Sequence, residues 1–349
     1  MRLFNNEKVG NARVITIFGI KIKYLEFDLK SICKKNAGND FLEDLKKAGF
    51  KFNKKKTIKI IAKFEKNLSD INNFLYTKLS EEDKKTFISF CLKRHGKINV
   101  VKKDDKKYLD GLFEKAYKIY NSRKNTNDPM EIEFNGKKIK YLSNTPAKKV
   151  RPNSKQMMFY CYEMVHAFFI NEYYKEGFSP KDGQIIFDCG ACSGDTALAF
   201  NAQYENSKIY SFECDDGAFE LLERNIQTNK LQNVYPQKAF LSSSTGEMQI
   251  GWETEKTLSI DDFVRENNLT DIGLIKFDIE GAEFEALKGS IETIRKERPV
   301  LMVPIYHLDS DLYEIPKFLH NLDIPFKFSL KWTEKRILGV DCVLFVKFA

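Results

Sequence analysis

A chain of 349 residues with 42% hydrophobic and 30% charged residues has room for two domains and enough apolar material for a packed core, which excludes a disordered polymer. No stretch approaches the ~20 apolar residues of a membrane span, and the start, Met1-Arg-Leu-Phe-Asn-Asn-Glu7, lacks the apolar run of a signal peptide, so a cytoplasmic protein is expected. Seven scattered cysteines, an odd number, argue against a disulfide framework.

The net charge of +8 hides a split. Residues 1–150 hold 36 Lys and Arg against 18 Asp and Glu, a net of +18, and the remainder has a net of −10. This predicts a basic front module and an acidic back module, with the boundary at 125/126. The basic half reads either as lysine-rich helix faces that keep the chain soluble or as a surface for something anionic. A membrane face, an acidic glycan, a lipid-diphosphate carrier and nucleic acid all fit that description.

In chain order, Arg13 to Phe27 alternates with period two about Phe18-Gly19 and predicts a β-hairpin. From about 39 to 122 the spacing is helical. Ser80 caps a helix with Glu81, Glu82 and Asp83 in its first turn and basic residues before Gly96. His95, at its end, reads as a surface histidine. Tyr108, Leu112, Ala116 and Ile119 are expected to line one face of the next helix. Residues 121–129 read as a linker, and Glu131 to Tyr141 as a hairpin turning at Asn135-Gly136. A long amphipathic helix is expected over about 153–175, with Met157, Met158, Phe159, His166 and Phe168 facing the core.

From Gln184 onward strands alternate with helices. Strands are expected at 184–187, 208–213, 234–240, 274–279 and 298–305, with a short one at 248–252 and two late ones at 326–330 and 341–346. Helices are expected at 217–229, 283–294 and 311–320. The fold class is α/β: a doubly wound, mostly parallel sheet with an antiparallel element at its end, preceded by a mainly helical basic module.

Asp188-Cys-Gly-Ala-Cys-Ser-Gly-Asp195 follows the first of these strands. Glycine lets backbone approach a ligand closely, and the helix start beyond it presents free N–H groups. Cys189 and Cys192 have the spacing of a redox or zinc pair, but no second pair or nearby histidine completes a tetrahedral site, so they read as small loop-filling residues. Ligands of open α/β sheets lie beyond the carboxyl ends of the strands, where Asp188, Asp195, Glu213, Asp278, Glu280, Glu283, Tyr306 and His307 collect. Glu213 stands 23 positions beyond Gly190, where a carboxylate takes a ribose diol. Dinucleotide dehydrogenases and S-adenosylmethionine-dependent methyltransferases share that geometry. The loop lacks the middle glycine of a pyrophosphate cradle and is flanked by acids, which suits the ammonium and sulfonium of S-adenosylmethionine.

Residues from about 130 to 349 resemble the FkbM-type S-adenosylmethionine-dependent methyltransferases. The resemblance is carried by Ile186–Thr196, Tyr210–Glu213 with Phe219–Ile226, Thr257–Phe263 and, most specifically, Leu274-Ile-Lys-Phe-Asp-Ile-Glu-Gly-Ala-Glu-Phe-Glu-Ala-Leu-Lys-Gly289. Ile305 to Pro316 is similar to a subgroup often linked to surface-glycan gene sets. The family commonly has Asn or Tyr at the position of Cys192 and Pro at that of Cys214. The resemblance implies a class I, Rossmann-like methyltransferase domain. It implies that Asp188, Gly190, Gly194 and Asp195, with Ala191 and Thr196 of the same loop, hold the methionyl end of the cofactor. Glu213 would take the ribose, and Lys238 and Ala239 would border the adenine. Asp278, Glu280 and Glu283 would face the methyl-transfer side, Asp278 touching the cofactor as well.

A sulfonium is already a strong methyl donor, so alignment supplies much of the rate, and a sugar hydroxyl gains from a base as its proton leaves. His307 or one of Asp278, Glu280 and Glu283 is the expected base. Mg²⁺ held by the three carboxylates is the less favoured alternative, and no metal site is expected. The expected activity is O-methylation of a sugar or surface-glycan precursor, of capsule or lipopolysaccharide type. The acceptor would be a glycan or lipid-linked glycan, and the basic module would meet an anionic acceptor or the inner membrane face. Two alternatives stand beside it. Nucleic-acid methylation is disfavoured by Asp278-Ile-Glu-Gly281, where base-methylating enzymes carry Pro-Pro-aromatic, so no nucleic-acid partner is expected. A non-catalytic cofactor-binding scaffold is the other.

Overall fold

The computed structural model describes residues 4–9, 12–17, 20–25, 29–145, 147, 151, 154–250, 253–333 and 341–349. Strands β1 (Phe4–Val9), β2 (Ala12–Ile17) and β3 (Ile20–Leu25) form an antiparallel sheet in that order. The expected hairpin is therefore joined by a third strand. Its sequence, Phe-Asn-Asn-Glu-Lys-Val, has no apolar alternation to announce it, and its pairing with β2 supplies the order. Phe18 and Gly19 lie outside the described residues. Strands β4 (Met130–Phe134) and β5 (Lys137–Tyr141) make the expected hairpin, with Asn135 and Gly136 at φ 50° and 73°.

The central sheet is built from β6 (Ile185–Cys189), β7 (Ile209–Glu213) and β8 (Val234–Lys238). A small side sheet of β9 (Phe240–Leu241), β10 (Gly246–Ile250) and β11 (Glu253–Leu258) follows. Then come β12 (Ile272–Phe277), β13 (Val300–Pro304), β14 (Phe326–Trp332) and β15 (Cys342–Phe348). The seven-stranded order is β14-β15-β13-β12-β6-β7-β8, with β15 antiparallel to both neighbours and the β6, β7, β8, β12 and β13 pairings parallel. The chain leaves β6 toward β7 and β8 and returns on its other side as β12 and β13. The switch point therefore lies between β6 and β12, where the carboxyl ends of neighbouring strands leave a crevice.

Several elements depart from the sequence reading. The helix expected over 153–175 is broken into Lys155–Tyr160, Tyr162–Met164 and a π-helical turn, Val165–Ile170. Asn171 at φ 51° stops it there, and Asn153 lies outside the described residues. Phe159 is 74% exposed instead of facing the core, while Met157, Met158, His166 and Phe168 are buried. The helix expected over 283–294 divides at Gly289, where a Cβ would stand 2.2 Å from the Ser242 carbonyl oxygen. Strand β11, Glu-Thr-Glu-Lys-Thr-Leu, is too polar to be seen as a strand. Gly251 and Trp252 lie outside the described residues.

The helical layer rests on the sheet. Ser80 caps Glu81–Gly96 as expected, accepting the Asp83 N–H at 3.1 Å. Asp83 in turn accepts bonds from Ser329 Oγ (2.8 Å), Leu330 N (3.2 Å) and Lys175 Nζ (3.3 Å), which ties the helix to β14. Phe90 meets Trp332 edge-on, and Arg94 donates to the Tyr306 carbonyl at 3.0 Å. Phe41, Phe87 and Phe90 thus belong to the same hydrophobic core as Leu330 and Trp332. On the following helix, Lys103–Ser122, the buried face is Leu109, Phe113, Ala116 and Tyr120, one position on from the expected stripe, and Tyr108 is exposed. Phe113, Ala116 and Tyr120 pack with Met130, Met157 and Leu198, so apolar cores cross residue 125. His95 is not a surface residue: its ring is buried edge-on against Phe64, and burial, with Lys63 nearby, pushes its pKa down to about 4.

Candidate active site

The loop after β6 is shaped by contacts that admit no side chain. Gly190 has φ +80°, and a Cβ there would lie 1.7 Å from the Asp278 carbonyl oxygen. Gly194, φ +89°, precedes the Asp195–Gln203 helix, and its Cβ would press Leu222 Cδ1 at 2.8 Å. Gly190 and Ala191 both donate to the Phe212 carbonyl at 2.9 Å, which fixes the loop against the end of β7. Asp188 is wholly buried beneath it. Its carboxylate pairs with Lys276 Nζ at 3.0 Å and accepts Thr196 Oγ1 at 2.8 and 2.9 Å. Lys276 also donates to the Gly190 carbonyl at 2.6 Å. Burial opposes the lysine charge, but Asp188, Asp278 and Asp195 outweigh it and raise its pKa. Asp188 and Thr196 therefore face each other and Lys276, supporting the loop from below.

Above the loop lie two cavities. The larger, about 430 Å³, is lined by Gly190, Cys192, Phe212, Glu213, Ala239 and Leu241, with Asp278 and Glu280 at one side. Glu213 is already oriented. It accepts N–H bonds from Cys192, Cys214 and Asp215, each at 2.8 Å. Ala239 lines the cavity and donates its N–H to the Glu213 carbonyl at 3.1 Å. Lys238 points elsewhere: it pairs with Asp216 at 2.7 Å and bonds the Cys214 carbonyl. Cys189 is buried in the strand and Cys192 forms loop wall, and burial holds both thiols above their ordinary pKa.

The smaller cavity, about 230 Å³, shares Gly190, Cys192, Asp278 and Glu280 with the first. Its other walls are Tyr162, Glu163, Tyr173, Asp195, Lys276 and Tyr306, together with His166, Glu172 and Asp341. Asp195 is pushed well above the carboxylate range, first by burial and then by the neighbouring charge of Glu163. Glu163 is itself held by the Tyr141 hydroxyl, which also reaches Ser193 at 2.7 Å.

Asp278 belongs to both cavities. Its Oδ2 accepts the Tyr173 hydroxyl at 2.8 Å, and its Oδ1 is buried with no hydrogen-bond partner among the described residues. Burial raises its pKa, against the opposing charges of Lys276 and His307. Behind it His307 turns Nε2 toward Asp278 Oδ1 at 3.6 Å and Glu280 Oε2 at 3.5 Å, and that nitrogen too lacks a partner. Its Nδ1 is held by Glu283 at 2.8 Å. Burial disfavours the imidazolium, but Glu283, with Asp278 and Glu280, outweighs it, so the His307 pKa is raised. Glu283 is wholly buried and accepts the N–H groups of Ile279 (2.9 Å) and Gly281 (3.0 Å). Burial works against its charge, yet His307 and those N–H groups keep its pKa lowered. Glu280, at φ 55°, is largely exposed at the cavity mouth. The four rim residues thus divide: Asp278 and Glu280 face the cavities, while His307 and Glu283 stand behind them.

Sequence reading missed Lys276, Tyr173, Glu163 and Tyr162. Lys276 left a signal, a lone lysine in the otherwise apolar β12, which must be paired to be buried. Tyr173 and Glu163 left none, because only the break in the 155–170 helix and the turn at Asn171 bring them to the rim.

Residues 188–324 match the family model of the Methyltransferase FkbM domain. Among solved structures, the chain is similar to the methyltransferase FkbM of Methylobacillus flagellatus, with 15% identity and a TM-score of 0.54. The match covers 83% of this chain and 61% of that one, so this chain spans under two thirds of that protein's length. Weaker likenesses include the precorrin-6y C5,15-methyltransferase of Geobacter metallireducens (15% identity, TM-score 0.34, 48% of this chain and 80% of that one). Fibrillarin of Aeropyrum pernix, solved with S-adenosyl-L-methionine, is another (13% identity, TM-score 0.35, 48% and 67%). No curated protein sequence matches the chain. The α/β class with its mostly parallel sheet agrees with the sequence reading.

Proposed function

We propose, from a chain that carries an FkbM methyltransferase domain at residues 188–324 and is thus a methyltransferase, that it uses S-adenosylmethionine to methylate a hydroxyl of a sugar or surface-glycan precursor. The observation that carries this reading is Asp278, whose buried, unpartnered Oδ1 stands at the junction of the two cavities. A buried acceptor atom without a protein partner calls for a proton or donor from a ligand. The larger cavity suits the nucleoside, with Glu213 toward the ribose and Ala239 and Leu241 toward the adenine. Asp195 and Glu163 suit the methionyl ammonium, since a ligand cation between them offsets the mutual repulsion that, after burial, raises the Asp195 pKa.

When bound, the cofactor supplies an electrophilic methyl on sulfur. The chain's part is alignment and proton removal. Asp278 takes the acceptor hydroxyl proton, its raised pKa making it a better base than an exposed aspartate. His307 stands where it can receive that proton next, and Glu283 fixes the imidazole by its Nδ1. Tyr162, Tyr173 and Tyr306 give the smaller cavity aromatic faces and hydroxyls among carboxylates, a lining suited to a sugar ring. The exposed Lys51, Lys54, Lys55 and Lys59 of the Asp40–Lys63 helix favour an anionic acceptor or carrier, or an anionic membrane face. No helix is long and apolar enough to cross a membrane among the described residues.

The test is incubation with methyl-labelled S-adenosylmethionine and separate glycan, lipid-linked glycan and nucleic-acid fractions. Label is expected in a glycan-containing fraction, and Asp278→Asn should lower that turnover by about 10²–10⁴-fold while cofactor still binds. Label in nucleic acid alone, or in no fraction from a chain that binds the cofactor, would overturn the acceptor. Calorimetric binding of NAD in place of S-adenosylmethionine would overturn the donor.

A further inference from the structure

In the lining of the smaller cavity, three buried side chains converge from two distant stretches. His166 lies in the π-helical turn, Glu172 just past it, and Asp341 immediately before β15. His166 Nδ1 is 3.3 Å from Glu172 Oε2 and 3.4 Å from Asp341 Oδ2, and the three side chains are 5%, 10% and 5% exposed. We propose that His166, Glu172 and Asp341 form a binding site for one divalent transition-metal cation of the zinc or manganese type.

The distances distinguish this cluster from the other histidine–carboxylate group. His307 and Glu283 stand at 2.8 Å, the length of a charge-assisted hydrogen bond, and Glu283 has further N–H donors on both oxygens. A cation at roughly 2.0–2.2 Å from each ligand in a tetrahedral set separates those ligands by about 3.3–3.6 Å. The His166 contacts fall in that interval. They are long for ion-paired hydrogen bonds, and Asp341 Oδ2 is buried with no hydrogen-bond partner among the described residues. Two carboxylates share one imidazole; Arg94 and Lys331 act on Asp341 and Glu172 only from a distance, and among the described residues neither forms an ion pair with them. Such an arrangement leaves negative charge in a low-dielectric place, the condition a bound cation relieves.

The supporting contacts are of the kind that orient metal ligands. Thr333 donates its hydroxyl to Glu172 Oε1 at 2.8 Å and its N–H to the Asp341 carbonyl at 3.1 Å, which ties both carboxylate residues to one neighbour. The Glu172 N–H bonds the His166 carbonyl at 3.0 Å, and the left-handed Asn171 makes that reversal. Tyr162 stacks on the imidazole with ring centres 4.1 Å apart and holds its plane. An imidazole with two carboxylates favours zinc or manganese over magnesium or calcium, which prefer oxygen alone. All three residues line the smaller cavity, from which further ligands could reach the cation. Whether an acceptor hydroxyl is one of them rests on the proposed function; cation binding itself does not.

The test uses the full chain, stripped of metal by a chelator, without S-adenosylmethionine. It is titrated by calorimetry with Zn²⁺, Mn²⁺ and Mg²⁺, and with Co²⁺ as a spectroscopic probe. One equivalent of Zn²⁺, Mn²⁺ or Co²⁺ is expected, with Co²⁺ d–d bands lacking a thiolate charge-transfer band, and Mg²⁺ should bind at least about tenfold more weakly. Asp341→Asn and Glu172→Gln should each weaken binding tenfold or more, with folding checked by circular dichroism, and Asp278→Asn should leave it unchanged. If one of the two cluster variants fails to fold, the other decides. The proposal is overturned by a folded chain that binds none of the three transition ions stoichiometrically. It is equally overturned by unchanged affinity in a folded cluster variant, by a thiolate band placing cobalt on cysteine, or by loss of binding in Asp278→Asn.

Discussion

The two cavities that meet at Asp278 are built by different means. The larger is made chiefly of backbone and strand ends: the glycine loop after β6, the Glu213 carboxylate at the end of β7 and the short β8–β9 connection. Its shape follows from local requirements, a left-handed glycine where a Cβ would strike a carbonyl and a carboxylate gripped by three N–H groups. The smaller is made of side chains gathered from 162–173, 195–196, 276–280, 306 and 341. One follows the general pattern of ligand crevices at the strand ends of α/β sheets, and the other depends on side chains brought together from distant positions. On the proposed function, cofactor recognition falls to the part made of backbone and acceptor recognition to the part made of side chains.

Lys276 is where the two are joined, since it neutralises Asp188 under the first cavity and lines the second. Replacing it by methionine leaves a buried aspartate whose remaining side-chain partner is the Thr196 hydroxyl. Lys276→Met should cost about 3–5 kcal/mol of stability, read by chemical denaturation. A loss under about 1 kcal/mol would show that the two cavities are not mechanically linked.

The next effect separates the groups that face the acceptor from those behind them. His307 must be neutral to take a proton from Asp278, and its pKa is raised above the ordinary 6.5. The methylation rate should therefore climb as pH rises through that raised value. His307→Gln should abolish this limb and lower the plateau by about 10–100-fold without altering cofactor affinity. Stability takes the opposite sign: the contribution of the His307–Glu283 pair is fully present below the unfolded histidine pKa and fades as pH rises through the folded one. A pH–rate profile identical in His307→Gln would remove the histidine from the proton path.

The smallest expected effect isolates the larger cavity. Glu213→Gln keeps the shape but makes an N–H donor of an acceptor that three N–H groups now face. S-adenosylmethionine affinity should fall by about tenfold, with kcat nearly unchanged at saturating cofactor. A change confined to kcat would place Glu213 in the chemistry instead.

Legibility in the sequence followed the same division. The Asn135-Gly136 hairpin, the Ser80 cap and the parallel strands were all readable, because each depends on residues within a few positions of one another. Strand β11 was not, since five of its six residues are polar or charged and carry no apolar alternation, and the 155–170 helix was read too long because Asn171 carries no obligatory stop signal. Rim residues were found by the rule that ligands gather at strand ends. That rule placed Asp278 and Glu280 at the cavities but could not tell that Glu283 and His307 turn toward each other behind them.

What the sequence by itself determined is the frame: a mostly parallel α/β sheet, a glycine turn between its first strand and the following helix, and acids at successive strand ends. These are set by backbone stereochemistry and by the period of apolar residues, which act over short distances along the chain. Tertiary structure alone decided that Lys276 pairs with Asp188, that Tyr173 reaches Asp278 across 105 positions, and that His166 and Glu172 meet Asp341 in one buried cluster. Those contacts arise because burying the sheet on both faces forces distant polar groups into a common interior, where each must find a partner or a ligand.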